Sequence, residues 1–140
     1  DVLVFNFPYP NNWDRIEMHI LKYYVKRCIG LPEDTLSIKN GRFRVEGIDE
    51  PLGNIKSQQK IGQTLPEEFP SGVYRCFPYD SIIGWNIQNF GPLYIPKTGD
   101  RLPMNLKNYQ LYHKLISWEQ KAKLEYKDST VFLNDKPIKD

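Results

Sequence analysis

Apolar and polar positions alternate over much of this chain, and the period changes to that of a helix in one long stretch only. "DVLVFNFPYP" places Val2, Val4 and Asn6 on one face and Leu3, Phe5 and Phe7 on the other, which predicts a strand. Pro8 and Pro10 end it, because proline cannot donate to a ladder. "NNWDRIE" reads as a loop or turn. "MHILKYYVKRCIG" is rich in Ile, Tyr and Val and stops at a Gly-Leu-Pro break, so a second strand is predicted there.

"TLSIKNGRFRVEG" carries the clearest local signal. Asn40-Gly41 is a favoured two-residue hairpin turn. That turn sets Ile38 opposite Phe43 and Leu36 opposite Val45, with all four on one face. Ser37, Lys39, Arg42 and Arg44 then share the other face. Residues 47–84 carry Gly, Pro, Ser and Gln with little periodicity, and read as a long irregular insertion. A short strand, Leu93 to Ile95, is predicted between prolines. From Asn105 to about Lys123 the period becomes helical. Leu111, Tyr112, Leu115, Ile116, Trp118 and Ala122 fall within one broad stripe, and Asn105 is placed to cap it. "STVFLNDKPI" predicts a hairpin turning at Asn134-Asp135. The expected class is mainly β with one α-helix.

Composition adds limits. The 140 residues suit a single domain, or one domain with an insertion. Hydrophobic content of 40% argues for a folded chain rather than a disordered one. A net charge of +2, with the signs well mixed, lacks the basic excess expected of a nucleic-acid binder. No apolar run approaches the roughly 18 residues of a membrane span, and no signal peptide is present. The chain opens on Asp1 inside a strand-like segment, which suggests a piece of a longer protein. Cys28 and Cys76 are too few for a disulfide framework and lack metal spacing. No phosphate loop or metal motif occurs, and no cofactor is called for. The acidic groups Glu46, Asp49, Glu50 and Glu67-Glu68 read as solvated loop charge. His19 and Cys28 differ in strand parity and would face opposite ways, which argues against a thiol–histidine pair.

The chemistry with most promise sits at Lys26. In a strand it shares a face with Lys22, Tyr24 and Cys28, while Arg27 points away but adds positive field. A lysine acts as a base only when neutral. Burial and a neighbouring cation both favour that form, at a cost of roughly 3 kcal/mol for about two pH units. On pattern alone, a strand lysine is far more often solvated than dry.

Read together, the flanking residues resemble two boxes of the type I signal peptidases. Asp1, Val2, Val4, Phe5 and Pro8 match a Gly-Asp-Val-x-Val-Phe…Pro strand. Tyr24, Lys26, Arg27, Gly30, Pro32 and Asp34 match Tyr-x-Lys-Arg-x-x-Gly-x-Pro-Gly-Asp. "WNIQNFGPLYIPKTGD" is similar to an insertion of the Bacteroidetes branch. The resemblance implies a β-rich catalytic core from residues 1–46, an inserted segment 47–130 bearing the helix, and a final hairpin 131–140 returning to the core. It implies that Lys26 is the general base of a Ser–Lys dyad. Val25 would line the pocket for a small residue, Tyr24 would lie beside the substrate strand, and Arg27 and Asp34 would support them. The substrate would be the signal peptide of an exported preprotein, bound extended. The parent would be held in the bacterial inner membrane by an N-terminal anchor, its catalytic domain on the periplasmic side, and this portion would be soluble.

Three departures stand out. The family's Ser-Met-x-Pro box does not occur in the chain, so the resemblance supplies no nucleophile here and predicts that the chain alone does not cleave peptides. The final Gly-Asp-Asn…Asp-Ser-Arg box is also absent. At the glycine after Gly-x-Pro the chain has Glu33, which implies either a type I turn or strain. The rival readings are a non-catalytic β-rich peptide-binding module and a degenerate family member. Missing flanking strands would leave open edges, and so an edge-paired dimer is expected.

Overall fold

The computed structural model describes residues 2–6 and 23–139. The loop expected at 11–17, the start of the second strand and His19 lie outside the described residues. The architecture is mainly β. Its strands are β1 (Val2–Asn6), β2 (Tyr23–Arg27), β3 (Thr35–Lys39), β4 (Arg42–Val45), β5 (Phe90–Tyr94), β6 (Leu124–Lys127), β7 (Thr130–Leu133) and β8 (Lys136–Ile138). Two α-helices join them, α1 (Ile55–Gln63) and α2 (Leu106–Gln120). Neither is long and apolar enough to cross a membrane. β1 pairs with β2, β4-β3-β5 form a second sheet and β6-β7-β8 a third. The chain divides into two compact units, one holding residues 27–99 and the other residues 100–140 with most of β1 and β2.

In the first unit the hairpin has the predicted register: Leu36 pairs with Val45, Ile38 with Phe43 and Lys39 with Arg42. Asn40 and Gly41 take φ of 49° and 75°, the left-handed pair that a type I′ turn requires. β5 runs antiparallel to β3, with an irregularity between Leu36 and Ile38. It starts at Phe90 rather than at Leu93. Pro92 does not interrupt it, because β5 lies at a sheet edge and has no second ladder to feed.

The segment read as irregular contains α1, and this is a correction to the one-helix expectation. The helix has few apolar residues to betray it. Its buried residue is Gln58, 3% exposed. Asn54 caps it by accepting from the Ser57 amide at 3.1 Å. Gln58 does the work of a core residue by hydrogen bonding. Its Oε1 accepts from the Phe43 amide at 2.9 Å, and its Nε2 donates to the Leu52 carbonyl. Gln88, also buried, donates from Nε2 to the carbonyls of Ile61 and Thr64 at 2.7 and 2.8 Å. Its own carbonyl accepts from Gly41 at 2.8 Å. Two glutamines thus stitch α1 to the hairpin, Gln58 through both ends of its side-chain amide and Gln88 through its side-chain Nε2 and its backbone carbonyl.

In the second unit α2 follows the predicted stripe only in part. Asn105 accepts from the Asn108 amide at 2.9 Å, as expected of the cap. The helix stops at Gln120, with Lys121 left-handed at φ 48°, so Ala122 lies beyond it. Leu111 and Tyr112 are buried, with Leu124 of β6 and Val131 of β7. Leu115 and Trp118 of the same stripe are exposed. The Asn134-Asp135 hairpin forms as predicted, with Leu133 opposite Lys136. β6 precedes it through an Asp128-Ser129 turn that the apolar pattern does not signal.

Candidate functional site

β2 carries Tyr24, Val25, Lys26 and Arg27, and every residue of it is exposed. Lys26 itself is exposed on this strand. The side chains of Lys26 and Arg27 have no hydrogen bond or ion pair among the described residues. Tyr24 stacks on Phe5 of β1, ring centroids 6.2 Å apart. Alternation puts Lys26 on the same face as Tyr24. Around this pair the ribbon is apolar and open. Val2, Val4, Tyr23 and Val25 are 58–67% exposed. A two-stranded ribbon is marginal in water on its own, and apolar exposure on this scale marks a surface that something covers.

The residues after β2 explain the other fixed types of the string. Pro32 and Glu33 form the corners of a turn closed by the Asp34 amide donating to the Leu31 carbonyl at 3.0 Å. Asp34 Oδ2 accepts from the Leu31 amide at 2.7 Å, closing the same turn from its side chain. The turn is pinned to the residue just past β5, with Glu33 N donating to the Ile95 carbonyl and Ile95 N to the Asp34 carbonyl, each at 2.8 Å. Gly30 leaves room for Ile95, whose Cδ1 lies 2.5 Å from where a Cβ would stand. Asp34, expected as a supporting residue, is therefore a turn residue in the described structure. Sequence reading placed a turn at Pro32-Glu33 but missed that Asp34 closes it from its side chain; the Leu-Pro-x-Asp spacing is the signal that shows it.

Glu33 settles between its two alternatives on the strained side, with φ of 82° at the corner where a type II turn favours glycine. Lys97 pairs with its carboxylate at the surface. A left-handed non-glycine residue costs about 1–2 kcal/mol, whereas an exposed ion pair returns 0–1 kcal/mol and added glycine entropy takes back about 0.5 kcal/mol. Glu33→Gly is expected to raise stability by about 0.5 kcal/mol, measured by urea unfolding. A loss would show that the ion pair outweighs the strain.

Both cysteines are free. Cys28 Sγ donates to the Gly30 carbonyl at 3.2 Å. Burial pushes the Cys76 thiol above its ordinary range, because the thiolate is penalised in dry surroundings. Iodoacetamide at mildly alkaline pH is expected to modify Cys76 more slowly than a small-molecule thiol, with the rate still climbing at pH values where the free thiol has levelled off. Mass spectrometry of the modified peptide gives the rate; equal rates would contradict the burial.

A stretch of 52 residues is 40% identical to Signal peptidase I of Bacillus amyloliquefaciens, covering 34% of this chain and 28% of that protein. The chain thus spans well under a third of the relative it matches. No protein-family profile matches the chain, and no solved structure matches it. The likeness supports a peptidase relationship and a link to signal-peptide processing.

Proposed function

We propose that this chain is the lysine-bearing portion of a type I signal peptidase of the Bacteroidetes-like branch. The observation that carries the reading is the Lys26-Arg27-x-x-Gly30-x-Pro32-x-Asp34 string, within a chain 40% identical over 52 residues to Signal peptidase I of Bacillus amyloliquefaciens. In this reading Lys26 takes the proton from a serine hydroxyl supplied by another part of the parent, and the alkoxide attacks the peptide carbonyl. The proton then passes to the leaving amine, so that charge balances across acylation. Tyr24 and Val25 line the path of an extended signal peptide, and Arg27 meets a carboxylate outside the described residues. The exposure of β2 adds a requirement. Further chain, or the substrate itself, covers the ribbon before the amine is dry enough to stay neutral. The open apolar faces of β1 and β2 give such a cover its contact area.

The test is preprotein cleavage by the whole parent protein with Lys26 replaced, together with mapping of the serine that a fluorophosphonate-type or β-lactam-type acylating probe modifies. Full activity without Lys26 overturns the reading, as does a nucleophile other than serine.

A further inference from the structure

A groove of about 530 Å³ lies in the first unit, away from β2 in sequence. One wall is the polar face of the β3–β4 hairpin, with Ser37, Lys39, Arg42 and Arg44. The same groove is lined by Glu46, next after Arg44 on that face, and by Asp49 and Glu50 of the loop beyond. Ile48, Ile55 and Pro92 give it apolar contact.

Two features set this groove apart from ordinary solvated charge. Lys39 and Arg42 sit directly opposite each other in the ladder, with Arg44 next along the same face. Like charges placed so are destabilising. Three carboxylates line the same groove, yet none comes within ion-pair distance of these cations, and neither set has another partner among the described residues. The two signs line one groove without pairing.

The walls are fixed by the fold. Buried Gln58 bonds the Phe43 amide on one side and the Leu52 carbonyl on the other. The loop is tied back by Ile48 N donating to the Val45 carbonyl and Glu46 N to the Thr35 carbonyl, each at 3.1 Å. A backbone held in this way need not reorder on binding, and the groove's volume lies in the range of small-ligand pockets. A wall of one sign alone would suit a simple anion. With carboxylates lining the same groove, a simple anion is attracted by Lys39, Arg42 and Arg44 but repelled by Glu46, Asp49 and Glu50. A ligand bearing both signs satisfies both sets at once.

We propose that this groove binds a short peptide of mixed charge, its acidic residues against the hairpin cations and its basic residues against the loop carboxylates, with apolar side chains between. The site is independent of the peptidase reading, since no residue of β2 takes part.

The probe is the blocked hexapeptide Asp-Glu-Ala-Leu-Lys-Arg, titrated into the full chain and followed by amide shifts in a heteronuclear NMR spectrum. Saturable shifts are expected over residues 37–52, weakening as salt is raised. The pair Arg42→Gln with Arg44→Gln, and separately Glu46→Gln with Asp49→Asn, should each weaken binding about fivefold or more. All four side chains are exposed, so spectra elsewhere should be unchanged; Lys39→Gln alone should also weaken binding. The proposal is overturned if the hexapeptide causes no saturable shifts, or if either charge set can be neutralised without effect. It also fails if a second blocked hexapeptide, Asp-Glu-Ala-Leu-Asp-Glu, binds as tightly, which would make this an anion site, or if the shifts track protein concentration, which would make the face a contact between copies of the chain.

Discussion

Replacing Lys26 by methionine in the whole parent protein is expected to lower the rate of preprotein cleavage by about a thousandfold or more. General-base transfer is worth roughly 10²–10⁴ in rate, and a thousandfold corresponds to about 4 kcal/mol of transition-state stabilisation. Methionine keeps an unbranched stem of similar length and removes the proton acceptor. Lys26 is exposed and its side chain makes no hydrogen bond or ion pair among the described residues, so the substitution should change folding stability by less than about 0.5 kcal/mol. Arginine provides the second arm. It retains the charge and the stem but stays protonated at any working pH, so Lys26→Arg should be as inactive as Lys26→Met. If Lys26 only solvates a strand edge, both variants keep their activity, and arginine behaves as well as lysine.

The elements legible in the sequence are those whose information is local. Asn40-Gly41 and Asn134-Asp135 fix their hairpins because the turn residues and the two-residue period agree. Asn105 announces α2 for the same reason, through a cap followed by a stripe. Where a polar side chain takes the place of an apolar one, the pattern goes silent. α1 buries Gln58, not a leucine, and Gln58 finds its partners 15 residues back in β4 and six residues back in the loop before the helix. No periodicity of hydrophobic residues can report such a bond. At the candidate site the split is different. The string from Tyr24 to Asp34 is plain in the sequence, but its glycine, proline and aspartate are accounted for by a turn. Whether Lys26 is dry depends on what lies over β2, and the ribbon's own residues do not decide that.

The same logic of long-range polar contact makes Gly62 the place where a small change should do most damage. Gly62 lies in the last turn of α1, where the helix meets the tip of the β3–β4 hairpin. A Cβ added there would stand 2.3 Å from the carbonyl oxygen of Asn40 and 3.2 Å from its carbon. Both are backbone atoms of a type I′ turn, and they cannot swing aside as a side chain can. Two effects of opposite sign compete in Gly62→Ala. Helix propensity favours alanine by about 1 kcal/mol. The overlap forces α1 away from the hairpin, and overpacking of this kind costs about 1–3 kcal/mol. Displacement also lengthens the bonds that hold the two together, those of Gln58 to Phe43 and of Gln88 to Ile61 and Thr64, each worth about 1 kcal/mol. The contact wins, and a net loss of about 2–3 kcal/mol is expected in urea unfolding of this chain. Gln59→Ala, on the exposed side of the same helix, should fall within about 0.5 kcal/mol of wild type. The sign of the Gly62 result is decisive: a gain near 1 kcal/mol would mean that the glycine is merely a poor helix former facing solvent, and that α1 does not rest on the hairpin.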